Sequence, residues 1–90
     1  MKKAIISVLG KDRVGIISSV SAVLSDNNVN ILDISQTILQ DMFTMMMLVD
    51  VADSKIKFAS LADILAELGN KLGVEIRIQL EDIFQAMHRI

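Results

Sequence analysis

The stretch DMFTMMMLVD (41–50) constrains this chain more than any other. Read as a strand, it alternates into two sets. One is Phe43, Met45, Met47 and Val49; the other is Met42, Thr44, Met46 and Leu48. A strand with one wet face carries one apolar and one polar set. This one is apolar on both, so it belongs inside a sheet whose two faces both need cover. Ninety residues make one domain, 1–90, too small to supply two thick covering layers.

The flanking segments fix what surrounds that strand. KAIISVL is a β-branched run ending at Gly10, which predicts a first strand over about 2–9. Ile16, Ile17, Val20, Val23 and Leu24 fall on one face of a helix expected over about 13–26. SDNN (25–28) ends it, because Asn tolerates the left-handed backbone of a helix cap. A second strand over about 29–39 turns tightly at Gln40 and Asp41 into the third, about 42–51. ADSK opens a second helix, about 55–72, with Phe58, Leu61, Ala62, Leu65, Leu68 and Leu72 on its apolar face and Gly73 as its stop. VEIRIQL (74–80) alternates strictly as a fourth strand, placing Glu75, Arg77 and Gln79 outward. The order is that of an α+β, ferredoxin-like βαββαβ sandwich: a four-stranded antiparallel sheet with two helices on one face. Its other face is then open, apolar in the middle (Ile5, Met42, Met46, Leu48) and polar at the rims (Asp33, Ser35 and Thr37; Glu75, Arg77 and Gln79). That is the look of a covered patch.

The ending EDIFQAMHRI offers a cover. Ile83, Phe84, Met87 and Ile90 form one stripe of a short C-terminal helix, with Glu81 and Asp82 at its start and His88 and Arg89 at its end, as a helix dipole favours. So short a helix is not stable alone in water. It is expected to dock on the open face around Met46 and Leu48, of its own sheet or a partner's.

Hydrophobic residues are 52 % of the chain and the mean hydropathy is +0.52, rich for a domain with this much surface. That surplus points to an interface and hence to a homo-oligomer. No apolar run approaches the roughly 20 residues of a membrane span. The opening MKKAIISVLG has only a six-residue apolar run and no cleavage site after it, so it reads as a strand rather than a signal peptide. With no cysteine in the chain, the expected setting is cytoplasmic. A net charge of −2 and the absence of Tyr and Trp argue against nucleic acid as a partner.

Chemistry-bearing residues are few. His88 is the lone histidine, the carboxylates are scattered, and no nucleophile–base pair can be read from the spacing, so neither an enzyme nor a metal or other cofactor is expected. GKDRVG (10–15) lacks the Lys-Ser/Thr end of a phosphate loop. It is still the most informative segment. Asp12 is placed as N-cap of the first helix, and Gly15, in its first turn, leaves backbone N–H groups open to a carboxylate.

GKDRVGI (10–16), followed by a helix and then NVNILDIS (28–35), resembles the ACT domain, a regulatory module that binds small molecules. The resemblance spans residues 1–80, and the ending is similar to that of stand-alone bacterial ACT-domain proteins. It implies a small ligand, usually an amino acid, held between the first loop of one subunit and the second strand of a neighbour. Carried onto this chain, the ligand-binding residues are Lys11, Asp12, Arg13, Val14, Gly15 and Ile16, with Asn30 and Ile31 from the partner. The main alternative is a structural or adaptor dimer that binds another protein and no small ligand. An acylphosphatase-like enzyme would need an arginine early in the first helix, where Ile17, Ser18, Ser19 and Val20 stand. A metal chaperone would need a cysteine pair.

Overall fold

The computed structural model describes residues 1–82. Its elements are β1 (Lys3–Lys11), α1 (Ile16–Asp26), β2 (Asn30–Leu39), β3 (Met42–Asp50), α2 (Phe58–Leu72) and β4 (Val74–Leu80). The strands form one antiparallel sheet in the order β2-β3-β1-β4. The doubly apolar strand β3 is therefore internal, as its pattern demands, and β1 is the other internal strand. The two polar-rimmed strands, β2 and β4, are the edges. Residues 83–90, where the short C-terminal helix and its stripe were expected, lie outside the described residues.

One sheet face meets the helices. Ala4, Ile6 and Val8 of β1, Phe43, Met45, Met47 and Val49 of β3, and Val74, Ile76 and Ile78 of β4 all point there and are buried. Ile16, Val20 and Leu24 of α1 and Leu61 and Leu65 of α2 close over them. Each fully buried Leu or Ile contributes roughly 1.5–3 kcal/mol in transfer terms. The register confirms the faces: Ile5 lies opposite Leu48, Ser7 opposite Met46 and Leu9 opposite Thr44, all on the open side.

Glycines set two close approaches. Gly10 lies opposite Val74, and an ideal Cβ on Gly10 would stand 2.6 Å from Val74 Cγ1. Gly69, buried in α2, lies over the same residue: a Cβ there would stand 2.6 Å from the Val74 carbonyl oxygen. Gly10 thus sits within β1 rather than ending it. Gly73 ends α2 at φ 74, donating to the Gly69 carbonyl, as expected of a helix stop.

Several boundaries differ from the sequence reading. α1 starts at Ile16, not near 13; its N-cap is Gly15, and no side chain caps it. Asp12 instead donates its backbone N–H to the Asp41 carbonyl, 2.7 Å away, because β1 runs on to Lys11 beside β3. α2 starts at Phe58, since Ser54 folds its hydroxyl onto Ile56, accepting from its N–H and donating to its carbonyl, and so holds a turn rather than a helix start. Ile17, expected on the apolar face of α1, is exposed.

Candidate functional site

The segment 11–16 occupies one end of the sheet. Lys11 is the last residue of β1, opposite Met42. Asp12 bonds to the hairpin turn between β2 and β3, where Gln40 has φ 58. The Arg13 guanidinium donates from Nη1 to the Leu72 carbonyl in the last turn of α2, 3.1 Å away. Val14 is 96 % exposed. Gly15, at φ 96, turns the chain into α1. Its carbonyl accepts from the Ser19 N–H at 3.0 Å and the Ser18 hydroxyl at 3.2 Å. No carboxylate lies in the first turn of α1, and no side chain caps its N-terminal N–H groups. A Cβ on Gly15 would meet nothing within 4 Å. Of the predicted loop residues, Lys11, Asp12, Arg13 and Val14 are exposed, Gly15 is half-buried, and Ile16 is a core residue.

Asn30 and Ile31 stand at the other end. Asn30 lies opposite Asp50, which in turn lies opposite Lys3. From the level of Lys3 to that of Lys11 is eight residues of β1, about 26 Å at about 3.3 Å each. Within one chain the two halves of the predicted site do not meet.

Asn30 and Ile31 help to line a depression of about 350 Å³ with Ser21, Ser25, Asn28 and Val29. Its floor is well anchored. Asn28, at φ 60, donates its side-chain amide to the Asp53 carbonyl, and the Lys55 N–H reaches the Asn27 carbonyl. Ser21 and Ser25 carry no motif that marks them as site residues. Their helical spacing of four was the signal that both would face one side of a shared hollow. Nearby, the Asp50 carboxylate accepts from the Ala52 N–H at 3.0 Å and the Lys2 N–H at 3.2 Å. The Ala52 bond chiefly holds this carboxyl below its ordinary pKa. Desolvation, next in size, opposes it, and the Lys2 N–H, the chain's amino terminus and Lys3 add smaller lowering effects.

β2 is an edge strand of ten residues whose sequence, NILDISQTIL, has one charge, no Lys and no Pro. Ile34 and Ile38 point to the helix side yet are exposed, because α1 reaches β2 only at its start, around Asn30 and Ile31, and leaves the rest of the strand uncovered. Leu39, beside the hairpin turn, is 74 % exposed. Long edges with so little charge are usually paired or covered.

Among the described residues no group of His, Cys, Asp or Glu could hold a metal, and no helix is long and apolar enough to cross a membrane.

Residues 2–79 match the family model of the ACT domain. The chain is 51 % identical to the UPF0237 protein MJ1558 of Methanocaldococcus jannaschii over 90 residues, the full length of both. It is 54 % identical to the UPF0237 protein CA_C0478 of Clostridium acetobutylicum, over 98 % of this chain and 99 % of that one. Among solved structures, an ACT domain protein from Streptococcus pneumoniae superposes with a TM-score of 0.80 at 44 % identity, covering 93 % of this chain and 94 % of that one. The chain belongs to the ACT domain family. ACT domains are regulatory modules that often bind small ligands, amino acids among them.

Proposed function

We propose that this chain is a ligand-binding regulatory module without catalytic activity, acting in the cytoplasm as a homo-oligomer. Its ligand is a small carboxylate, an amino acid by preference. The carboxylate meets the free N–H groups at the start of α1, with Lys11 and Arg13 supplying positive charge beside it. Asp12, Val14 and Ile16 shape the loop, and Asn30 and Ile31 of a neighbouring copy close the site.

One observation carries the reading. The loop 11–16 and the Asn30–Ile31 pair lie at opposite ends of one sheet, about 26 Å apart along β1. A site that uses both needs two copies, and the unprotected β2 edge offers the surface on which a second copy pairs.

A thermal-shift screen against each free amino acid tests it. A ligand at a hundredfold excess over its Kd stabilises by about 2.7 kcal/mol, a rise in Tm of roughly 10–20 °C for a chain this size. A concentration-dependent rise for one amino acid or a related group is the expected result. A flat response across the panel overturns the sensor reading.

The second reading is an adaptor dimer that binds a protein. It is favoured by the apolar side chains gathered at the hairpin end, where Leu39, Ile38, Met42 and Val14 are exposed beside the loop. A flat screen together with a stable dimer is its signature.

A further inference from the structure

The backbone of β2 presents a defined set of groups at the open edge of the sheet. Leu39 and Met42 close the two-residue turn of Gln40 and Asp41. Residues that close such a turn bond to each other, and bonded and non-bonded pairs then alternate along an antiparallel ladder. Leu39, Thr37, Ser35 and Asp33 therefore turn their N–H and C=O groups to β3, while Ile38, Gln36 and Ile34 turn theirs to the edge. The Ile34 N–H bears this out, since it donates to the Asp33 carboxylate at 2.9 Å. The side chains of Ile34, Gln36 and Ile38 lie on the helix side, opposite the buried Met47, Met45 and Phe43. Even so, Ile34 is 41 % and Ile38 52 % exposed.

This edge is complementary to itself. Two copies of β2 laid antiparallel about Gln36 set Ile34 opposite the partner's Ile38, Gln36 opposite the partner's Gln36, and Ser35 opposite the partner's Thr37. Each outward pair then exchanges two N–H···O bonds. Both isoleucines gain an apolar neighbour across the strands. Asp33, the one charge of β2, falls opposite Leu39 and not opposite its own copy. The Ile34 N–H leaves the Asp33 carboxylate for the partner's Ile38 carbonyl. A dyad at Ser35 or at Thr37 would part the isoleucines and set Gln36 opposite one of them.

We infer that β2 pairs antiparallel with β2 of a second copy about a two-fold axis at Gln36, joining the two sheets into one. The inference deepens the two-copy reading of the site and does not depend on the ligand. It also brings the halves of that site together. Antiparallel pairing carries the partner's Asn30 and Ile31 past Leu39, to the end of the sheet where Lys11 lies. Three strand spacings, about 14 Å, then separate β1 from the partner's β2, against about 26 Å along the strands within one chain.

The chain has no cysteine, so introduced thiols report alone. Ser35→Cys and Thr37→Cys change exposed residues. The two variants are unfolded together, refolded in equal amounts without any amino acid, and oxidised mildly. In the inferred register their thiols face each other only in mixed dimers. In either variant alone they are diagonal neighbours about 7–8 Å apart, beyond the usual reach of a disulfide. Arg77→Cys, on the opposite edge strand β4, is the control. A disulfide-linked dimer should form about tenfold faster in the mixture than in either variant alone or in the control. Equal rates in the mixture and the single variants overturn the register. So does a control that oxidises as fast as the mixture. No bond in the mixture, from a wild type that sediments as a dimer, overturns β2 as the interface and leaves the homo-oligomeric reading standing. A wild type that sediments as a monomer at micromolar concentration overturns both, whereas a flat thermal screen overturns the ligand alone.

Discussion

Arg13 reaches across the molecule to Leu72: its guanidinium donates to the carbonyl in the last turn of α2 at 3.1 Å. The bond joins residues 59 apart in sequence and satisfies a carbonyl that the helix leaves free. It fixes the loop that precedes α1. Arg13→Ala should cost about 0.5–1 kcal/mol in urea unfolding, since the bond is exposed. It should also speed amide exchange at 12–16 more than in the strands. Arg13→Lys should recover part of both effects. Unchanged exchange in the alanine variant would mean that the loop holds its shape without this tie.

Val74 is squeezed between two glycines. Gly69 lies inside a helix, where Gly→Ala ordinarily stabilises by about 1 kcal/mol. Here the added methyl would meet the Val74 carbonyl at 2.6 Å, so Gly69→Ala should destabilise instead, by about 1–3 kcal/mol. Gly10→Ala should do the same by pressing on Val74 from β1. Because both changes push on one residue, the double variant should depart from the sum of the singles. Chemical denaturation of the four proteins decides it. A stabilising Gly69→Ala would show that β4 moves aside freely.

Gly15 separates backbone from ligand effects. Its φ of 96 is in the left-handed region, while the space around a Cβ is open. Gly15→Ala should therefore cost about 1–2 kcal/mol from backbone strain alone. Gly15→Asn should cost less, because Asn tolerates that region, while still placing a side chain over the first turn of α1. The order of melting temperatures, wild type above Asn above Ala, is the expected result. Equal melting for Asn and Ala would remove backbone strain as the reason for glycine here.

Asp50 gives the stability a sign in acid. Its folded pKa is lowered, chiefly by the Ala52 N–H. Its contribution is thus full above the ordinary carboxylate pKa of about 4 and is lost as pH falls through the lower folded value. Asp50→Asn should narrow the difference in stability between neutral pH and pH 3. The same slope in both proteins would mean that the two backbone bonds do not distinguish the charged carboxylate from the neutral amide.

Much of this was legible in the residues. The strict alternation of Val74–Leu80 and the doubly apolar Met42–Asp50 placed an edge and a centre, because side-chain period and sheet position are linked by burial. Asn28 and Gly73 marked turns because few residues accept positive φ. The starts of both helices were less legible. Asp12 and Ser54 are good cap residues by type, but β1 runs on to Lys11 and Ser54 closes its own turn, and neither pairing is local in the pattern. The uncovered helix side of β2 beyond Ile31 was also hidden. Ile34 and Ile38 look like core positions, and only the placement of the helices leaves them exposed. The resemblance pointed both to the loop 11–16 and to Asn30 and Ile31, but that these two segments lie about 26 Å apart along the sheet is a fact of topology alone.

The proposed site shared between copies is tested most directly by mixing two defective proteins. Gly15→Asn blocks the loop half and Asn30→Ala weakens the strand half, each in its own chain. The probe is the amino acid that raises the melting temperature most, and the readout is calorimetric stoichiometry. Each variant alone should lose the high-affinity sites. After the two are unfolded together and refolded in equal amounts, half of the dimers are mixed, and each mixed dimer holds one intact site. About a quarter of the wild-type sites should therefore return with wild-type affinity. If mixing restores none, or if either variant alone binds as the wild type does, the site is not built from Gly15 of one copy and Asn30 of another.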